Sequence, residues 1–336
     1  MRGKKKKMSD AGEFEFIKYL RTMMPQDGGD IIRSVGDDCF AARSFGNDLM
    51  ISTIDTFVEN VHFKRDYATY EQTGRRCMAA SVSDIAAMAG IPVYTLVSLS
   101  LPADFIFDDA VGLFVGLQNA AQMYGCPVIG GETTSTAGPA TITVTVIGRV
   151  SPDHIVLRSG AKEGDSIYVS GYIGEAMAGL LAFERDDGEF EELKDAFLFP
   201  EALVSLARAL TNSYSLTAMI DVSDGVPTDI GNICNESFCG AVLYEEKLPL
   251  SDDFLRICEK YDKNAADFAL SGGEDFELLF TSDDETMTES FELAGQQITL
   301  IGEITAKSEG IRFQRSDGKI DTIVSKGYEH FKNEKE

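Results

Sequence analysis

Apolar and polar positions follow two rhythms along this chain, and each change of rhythm marks an element. Residues 13–24 place Phe14, Ile17 and Leu20 at helical spacing, and Pro25 with Gly28-Gly29 ends that helix. Residues 49–57 are an apolar, β-branched run that predicts a strand. Residues 71–89 predict a helix of small side chains closed by Gly90 and Pro92. A strand over 94–101 follows, and Asp108 then caps an amphipathic helix that runs to Tyr124 and stops at Gly125. Residues 140–150 alternate threonines with Ile142, Val144 and Val146. That alternation predicts a half-exposed strand, and a threonine face can equally pair against another sheet at a subunit interface.

After Ser151-Pro152 the pattern starts afresh. It predicts a strand over Ser166–Ser170, a helix over Glu175–Glu184, an acidic linker over 186–195 and a helix around 200–213. A strand over 218–222 comes next, then a helix in which Pro227 suits a first-turn position. Residues 278–280, 298–304 and 311–313 supply further strands. At 336 residues the chain is long for a single domain. Two α/β domains are expected, covering 13–150 and 151–336, with the basic stretch 1–12 standing outside the fold as a leader.

Composition narrows the function classes. The hydrophobic share of 44% and the charged share of 25% are ordinary for a globular protein. No run of 18 apolar residues is present, which argues against a transmembrane helix. Acids outnumber bases 55 to 30, giving a net charge of −25 that repels a nucleic-acid backbone. Nucleotides remain possible partners if divalent cations sit between carboxylates and phosphates. The six cysteines form no C-x-x-C pair and no zinc spacing, and without a secretory signal they predict reduced thiols in a cytoplasmic protein.

The familiar nucleotide signatures are missing: there is no Walker P-loop, no dinucleotide fingerprint and no kinase catalytic loop. Instead, acids lie beside glycines or near strand ends. They are Asp37-Asp38 after Gly36, Asp55 in Thr53-Ile54-Asp55, Asp84 in Ser83-Asp84, and Glu132 after Gly130-Gly131. Two more sets follow, Asp221-Val222-Ser223-Asp224-Gly225 and Gly272-Gly273-Glu274-Asp275. Any one of them has a plain structural explanation, Asp224-Gly225 as a turn and Asp38 as a helix cap. Together they say more. Asp55 and Asp221 each follow an apolar strand, and Asp84 lies among Ala79, Ala80, Ile85, Ala86 and Ala87. Buried carboxylates need counter-charge, and few cationic residues are near. Magnesium ions meet that need while neutralising phosphate, so metal-assisted phosphate chemistry is the function class these residues support.

In this order, the motifs resemble those of the thiamine-monophosphate kinases in the aminoimidazole-ribonucleotide-synthetase superfamily. The matching runs begin with Gly12-Glu13-Phe14, Val35-Gly36-Asp37-Asp38-Cys39, Asp55-Thr56 with Val61-His62-Phe63, and the stretch from Ser83 to Gly90. They continue with Gly130 to Thr134, Arg158 to Asp165, and Ile220 to Gly225. The last two, Ser271 to Glu277 and Lys326 to Phe331, are the most specific.

The resemblance implies a two-domain PurM-like α/β (α+β) fold, with an N-terminal sheet forming a dimer barrel and a C-terminal α/β domain completing the active site. It implies ATP-dependent phosphorylation of thiamine monophosphate to thiamine diphosphate by a homodimer using several Mg2+ ions. By motif position, Asp38, Thr53, Asp55, Asp84, Glu132, Asp221 and Asp224 would be metal ligands, with Asp55, Asp84 and Asp221 central to catalysis. Gly131, Arg158 and Ser223 would contact ATP, while His62, Glu274 and Tyr328 would line the thiamine site. Read without the family, His62 and Tyr328 are equally packing residues, and Arg158-Ser159-Gly160 an ordinary turn.

The chain departs from the family pattern at Ile54, where a hydroxyl residue is usual, and at Glu132, where aspartate is common. Rival readings are a purine-pathway synthetase, a selenophosphate synthetase, a hydrogenase-maturation dehydratase, or a non-catalytic nucleotide- or metal-binding relative. The first cysteine lies inside the Gly36-Asp37-Asp38-Cys39 run and the chain ends in Asn333-Glu334-Lys335-Glu336, which disfavours the selenophosphate and maturation enzymes.

Overall fold

The computed structural model describes residues 28–34, 37–43 and 46–322; the helix expected over 13–24 and Tyr328 lie outside them. Six strands form the first sheet: β1 (Ile31–Arg33), β2 (Phe40–Arg43), β3 (Leu49–Val58), β4 (Ile91–Pro102), β5 (Val128–Thr136) and β6 (Thr141–Val150). Their order is β1-β2-β3-β6-β4-β5, antiparallel except for the parallel β4–β5 pair. The alternating segment is thus a central strand. Its Ile142, Val144 and Val146 are buried while the threonines face the other side, as the period-two pattern predicted.

Helices α1 (Tyr70–Ala87) and α2 (Phe107–Met123) cover the buried face of this sheet. Thr69 and Gln72 form a capping box at the start of α1. Small residues let the two helices touch: a side chain at Gly74 would strike the Leu113 carbonyl, and one at Gly116 the Glu71 carbonyl. Asp108 is not the cap of α2. Ile106 holds that position without a side-chain bond, and Asp108 and Asp109 sit in the first turn, where the helix dipole favours acids.

The second sheet contains β7 (Ser166–Ser170), β8 (Leu216–Asp221), β9 (Gly240–Tyr244), β10 (Leu278–Ser282), β11 (Ser290–Leu293), β12 (Gln296–Thr305), β13 (Ile311–Gln314) and β14 (Ile320–Thr322). It runs β14-β13-β9-β12-β7-β10-β8, with β11 paired to β12. Around it lie α3 (Glu175–Glu184), α4 (Glu191–Leu198), α5 (Val204–Ser213), α6 (Val226–Ser237), α7 (Asp252–Lys260) and α8 (Ala265–Ser271). The expected acidic linker over 186–195 instead begins α4. Its acids point outward while Leu193, Phe197 and Leu198 are buried, so charge content hid an amphipathic helix.

Helix α1 also joins the two sheets. Its C-terminal end packs Ala86 into a core made by Leu206 and Leu210 of α5, Met219 of β8, and Tyr168 and Phe280. Full burial of Met78, Val82 and Ile85 contributes about 1.5–3 kcal/mol each.

The loop before β10 places a buried acid between strands. Glu277 accepts a hydrogen bond from Ser170 Oγ, which itself accepts from the Leu278 amide at 2.9 Å. Burial pushes the Glu277 carboxyl up to about 8. A carboxyl with a raised folded-state pKa binds its proton more tightly in the folded protein, so its stabilising effect fades as pH rises from about 4.5 to about 8. In chelator-treated protein, Glu277→Gln should flatten this decline by about 1.4 kcal/mol per pH unit across that window. Denaturant unfolding measured at several pH values checks it, and an unchanged slope would refute the assignment.

Candidate active site

The acids singled out in the sequence arrive at the junction of the two sheets from separate elements. Asp38 precedes β2, Asp55 lies within β3 rather than after it, Asp84 is on α1, and Asp221 ends β8. Asp38, Asp84 and Asp221 each place a carboxylate oxygen within 4.8 Å of the others. Each is held. Arg158 donates to both oxygens of Asp38, from Nε at 3.1 Å and from Nη2 at 2.8 Å. Thr53 Oγ1 donates to Asp84 at 2.5 Å, and Ser83 Oγ donates to Asp221 at 2.7 Å.

Crowding of like charge shapes the chemistry of this cluster. Burial, then the carboxylates of Asp55, Asp221 and Asp38, hold the Asp84 carboxyl well above the usual range. Burial and Asp38 do the same to Asp221, while burial raises Asp55. Asp37, beside the cluster, accepts from Arg33 Nε at 3.1 Å and from the Arg158 amide at 3.0 Å, and burial followed by Asp38 moves it to about 7. The residues therefore fit a divalent cation. Three oxygen donors converge, and the nearest fixed positive charge, Arg158, does not offset them all.

A cavity of about 700 Å³ opens beside the cluster. Asp55, Asp84, Asp221, Ser223 and Asp224 form its polar wall, and Phe57, Tyr67, Met177, Leu180, Phe197 and Phe276 its apolar wall. His62 and Glu274 also line it. The His62 ring accepts from the Val58 amide at Nδ1, 3.0 Å away. Ser223 and Glu274 are locked together by the backbone: the Glu274 amide donates to the Ser223 carbonyl at 2.9 Å, and Phe276 to Val222 at 2.9 Å. This requires left-handed backbone at Glu274 and Phe276, and no side chain at Gly273, where a Cβ would strike Ser223.

Gly131 and Glu132 lie on the exposed edge strand β5 and, like Asp38, Thr53 and Arg158, are not part of the cavity lining. Gly131 is opposite Val97 of β4 and leaves no room for a Cβ, so its packing alone requires glycine. Asp275, in the glycine-rich run, also points elsewhere: its carboxylate accepts from the amides of Gly174 and Ala176 at 2.6 and 3.0 Å and caps α3. Sequence reasoning missed Arg76. From α1 it pairs with Glu274, donates to the His62 carbonyl at 2.9 Å, and lies 4.2 Å over the Phe197 ring. Nothing in the Arg75-Arg76 pair marked the second arginine out in the sequence.

Residues 36–150 match the N-terminal domain of AIR synthase related proteins, and residues 162–314 match the C-terminal domain. Thiamine-monophosphate kinase of Bacillus subtilis is 36% identical over 311 residues, covering 89% of this chain and 93% of that one. The chain belongs to the thiamine-monophosphate kinase family. A second family member, from Aquifex aeolicus, is 32% identical over 97% of this chain and all of its own length. The solved structure named AaThiL complexed with AMPPCP and TMP superposes with a TM-score of 0.85 at 30% identity, covering 97% of this chain and 99% of that one. The two-sheet architecture is therefore the family's PurM-like two-domain fold.

Like charges packed without their cation predict a stability signature. In chelator, Asp84→Asn and Asp55→Asn should unfold at or above the wild-type temperature, because each removes a carboxylate from a repelling group. Calorimetry decides: a fall of more than a few degrees would make these carboxylates structural.

Proposed function

We propose that this chain transfers the γ-phosphoryl group of ATP to the phosphate of thiamine monophosphate, yielding thiamine diphosphate and ADP. The observation that carries this is one cavity lined both by aromatic side chains and by acids of the carboxylate cluster. Thiamine monophosphate has the same division, two flat rings joined to a phosphate. Phe57, Tyr67, Phe197 and Phe276 suit the rings, one of which is cationic, and His62 and Glu274 are placed to fix their orientation. Tyr328 is proposed to join them. The relative solved with AMPPCP and TMP supports the same pairing of substrates.

Asp38, Asp55, Asp84, Asp221 and Asp224, with Thr53 beside Asp84, are the proposed holders of Mg2+. When bound, Mg2+ supplies the positive charge that lets two anionic phosphates approach one another. Ser223, on the loop ahead of α6, and Arg158 are proposed to meet ATP. An oxygen of the substrate phosphate forms the new bond to the γ-phosphorus as the bond to ADP breaks. That oxygen is already anionic, so alignment is the main requirement and no general base is called for.

A homodimer is part of this reading. Phe40, Met50, Ile54 and Leu96 are exposed on the sheet face turned away from α1 and α2, with Ile54 67% exposed and in one row with Thr145 and Leu96. The edge strand β5 lies beside them. No helix among the described residues is long and apolar enough to cross a membrane, and the six cysteines are free thiols, which fits a cytoplasmic enzyme.

Purified protein with Mg-ATP and thiamine monophosphate should release thiamine diphosphate and ADP in equal amounts, resolved by chromatography. Failure to form thiamine diphosphate at saturating magnesium would defeat the proposal. Light scattering should give twice the chain mass, and Leu96→Glu should shift it toward one chain; a wild-type monomer would remove the dimer from the reading.

A further inference from the structure

The buried or half-buried carboxylates around the cavity mostly have a donor: Asp38 has Arg158, Asp84 has Thr53, Asp221 has Ser83, and Asp275 has two amides. Asp229 has none among the described residues. It is 1% exposed in the first turn of α6, and neither of its carboxylate oxygens reaches a hydrogen-bond partner there. An acid in a first turn is favoured by the helix dipole, but the dipole does not satisfy the lone pairs of a buried carboxylate.

Its position gives a direction. The amides of Thr228 and Asp229 both bond to the Gly225 carbonyl, at 2.9 and 3.0 Å, so the preceding turn is the Ser223-Asp224-Gly225 loop. Helical side chains lean toward the N-terminus of their helix, which directs Asp229 back to that loop. Burial raises the Asp229 carboxyl well above its ordinary range, and Asp224 and then Asp221 are the charges that add to it. The mutually close oxygens are those of Asp38, Asp84 and Asp221, and Asp229 is not among them.

We propose that Asp229 is a positioning residue of the cation site, whose carboxylate accepts hydrogen bonds from water bound to the divalent ion beside Asp221 and Asp224. The inference rests on the reading of that cluster as a magnesium site. A carboxylate in this place orients the ion's hydration shell from the α6 side, where no protein donor competes for it.

The test uses full-length, chelator-treated protein, with thermal unfolding followed against magnesium chloride and Mn2+ binding counted from the resonance of the free ion. Wild type should gain stability with magnesium. Asp229→Asn should unfold in chelator at or above the wild-type temperature, since a buried charge is gone. It should also need about tenfold or more magnesium for half of the gain, with Mn2+ affinity weakened to match. Asp229→Ser should behave alike. Magnesium midpoints within twofold of wild type overturn the proposal, as do two variants that fail to fold in chelator, which would make Asp229 a requirement of α6. A wild type indifferent to both ions would defeat the magnesium reading itself, whereas a responsive wild type matched by its variants defeats only the role of Asp229.

Discussion

Helix α1 is wedged between two sheets, and the placement of everything functional follows from that packing. It is buried against β3 and β6 on one side and against α5 and β8 on the other, so almost none of its circumference faces water. Such a helix can carry a polar group only where the group has a purpose or a partner. Ser83, Asp84 and Arg76 are three that have one. Ser83 ties the helix to the end of β8, Asp84 enters the carboxylate cluster, and Arg76 holds the loop of Glu274. One rigid element thereby sets the spacing between the halves of the cavity.

Much of this was legible in the sequence. The small-residue run from Ala79 to Ala87 predicted a buried helix, and the acid inside it predicted a charge needing company. The alternation over 140–150 predicted a half-exposed strand with the correct facing. The ordered set of acid–glycine motifs pointed to metal-assisted phosphate chemistry, and the resemblance carried by Ser271 to Glu277 named the substrate.

The remainder depended on contacts that no local pattern encodes. Helix α4 was hidden because its charged face outweighed Leu193, Phe197 and Leu198 in a short window. Gly131 and Glu132 share the look of the other acid–glycine motifs, and the sequence alone did not show that they sit on an edge strand where Gly131 packs against Val97. Asp275 and Glu274 are adjacent but serve different structures, one a helix end and the other the cavity, since the left-handed turn between them sends their side chains apart. In the sequence Asp229 has the look of an ordinary first-turn acid, and only its burial sets it apart.

The cap on α3 bears on how the chain is made. Gly174 offers that helix no side chain of its own, and the carboxylate that satisfies its first amides arrives 101 residues later. During synthesis from the N-terminus, α3 leaves the ribosome with open ends and stays frayed until the segment through Asp275 has emerged. The same segment delivers Glu274 to Arg76. The end of the helix and the wall of the cavity thus draw on one segment, and a chain cut short before it lacks both the Asp275 cap and Glu274.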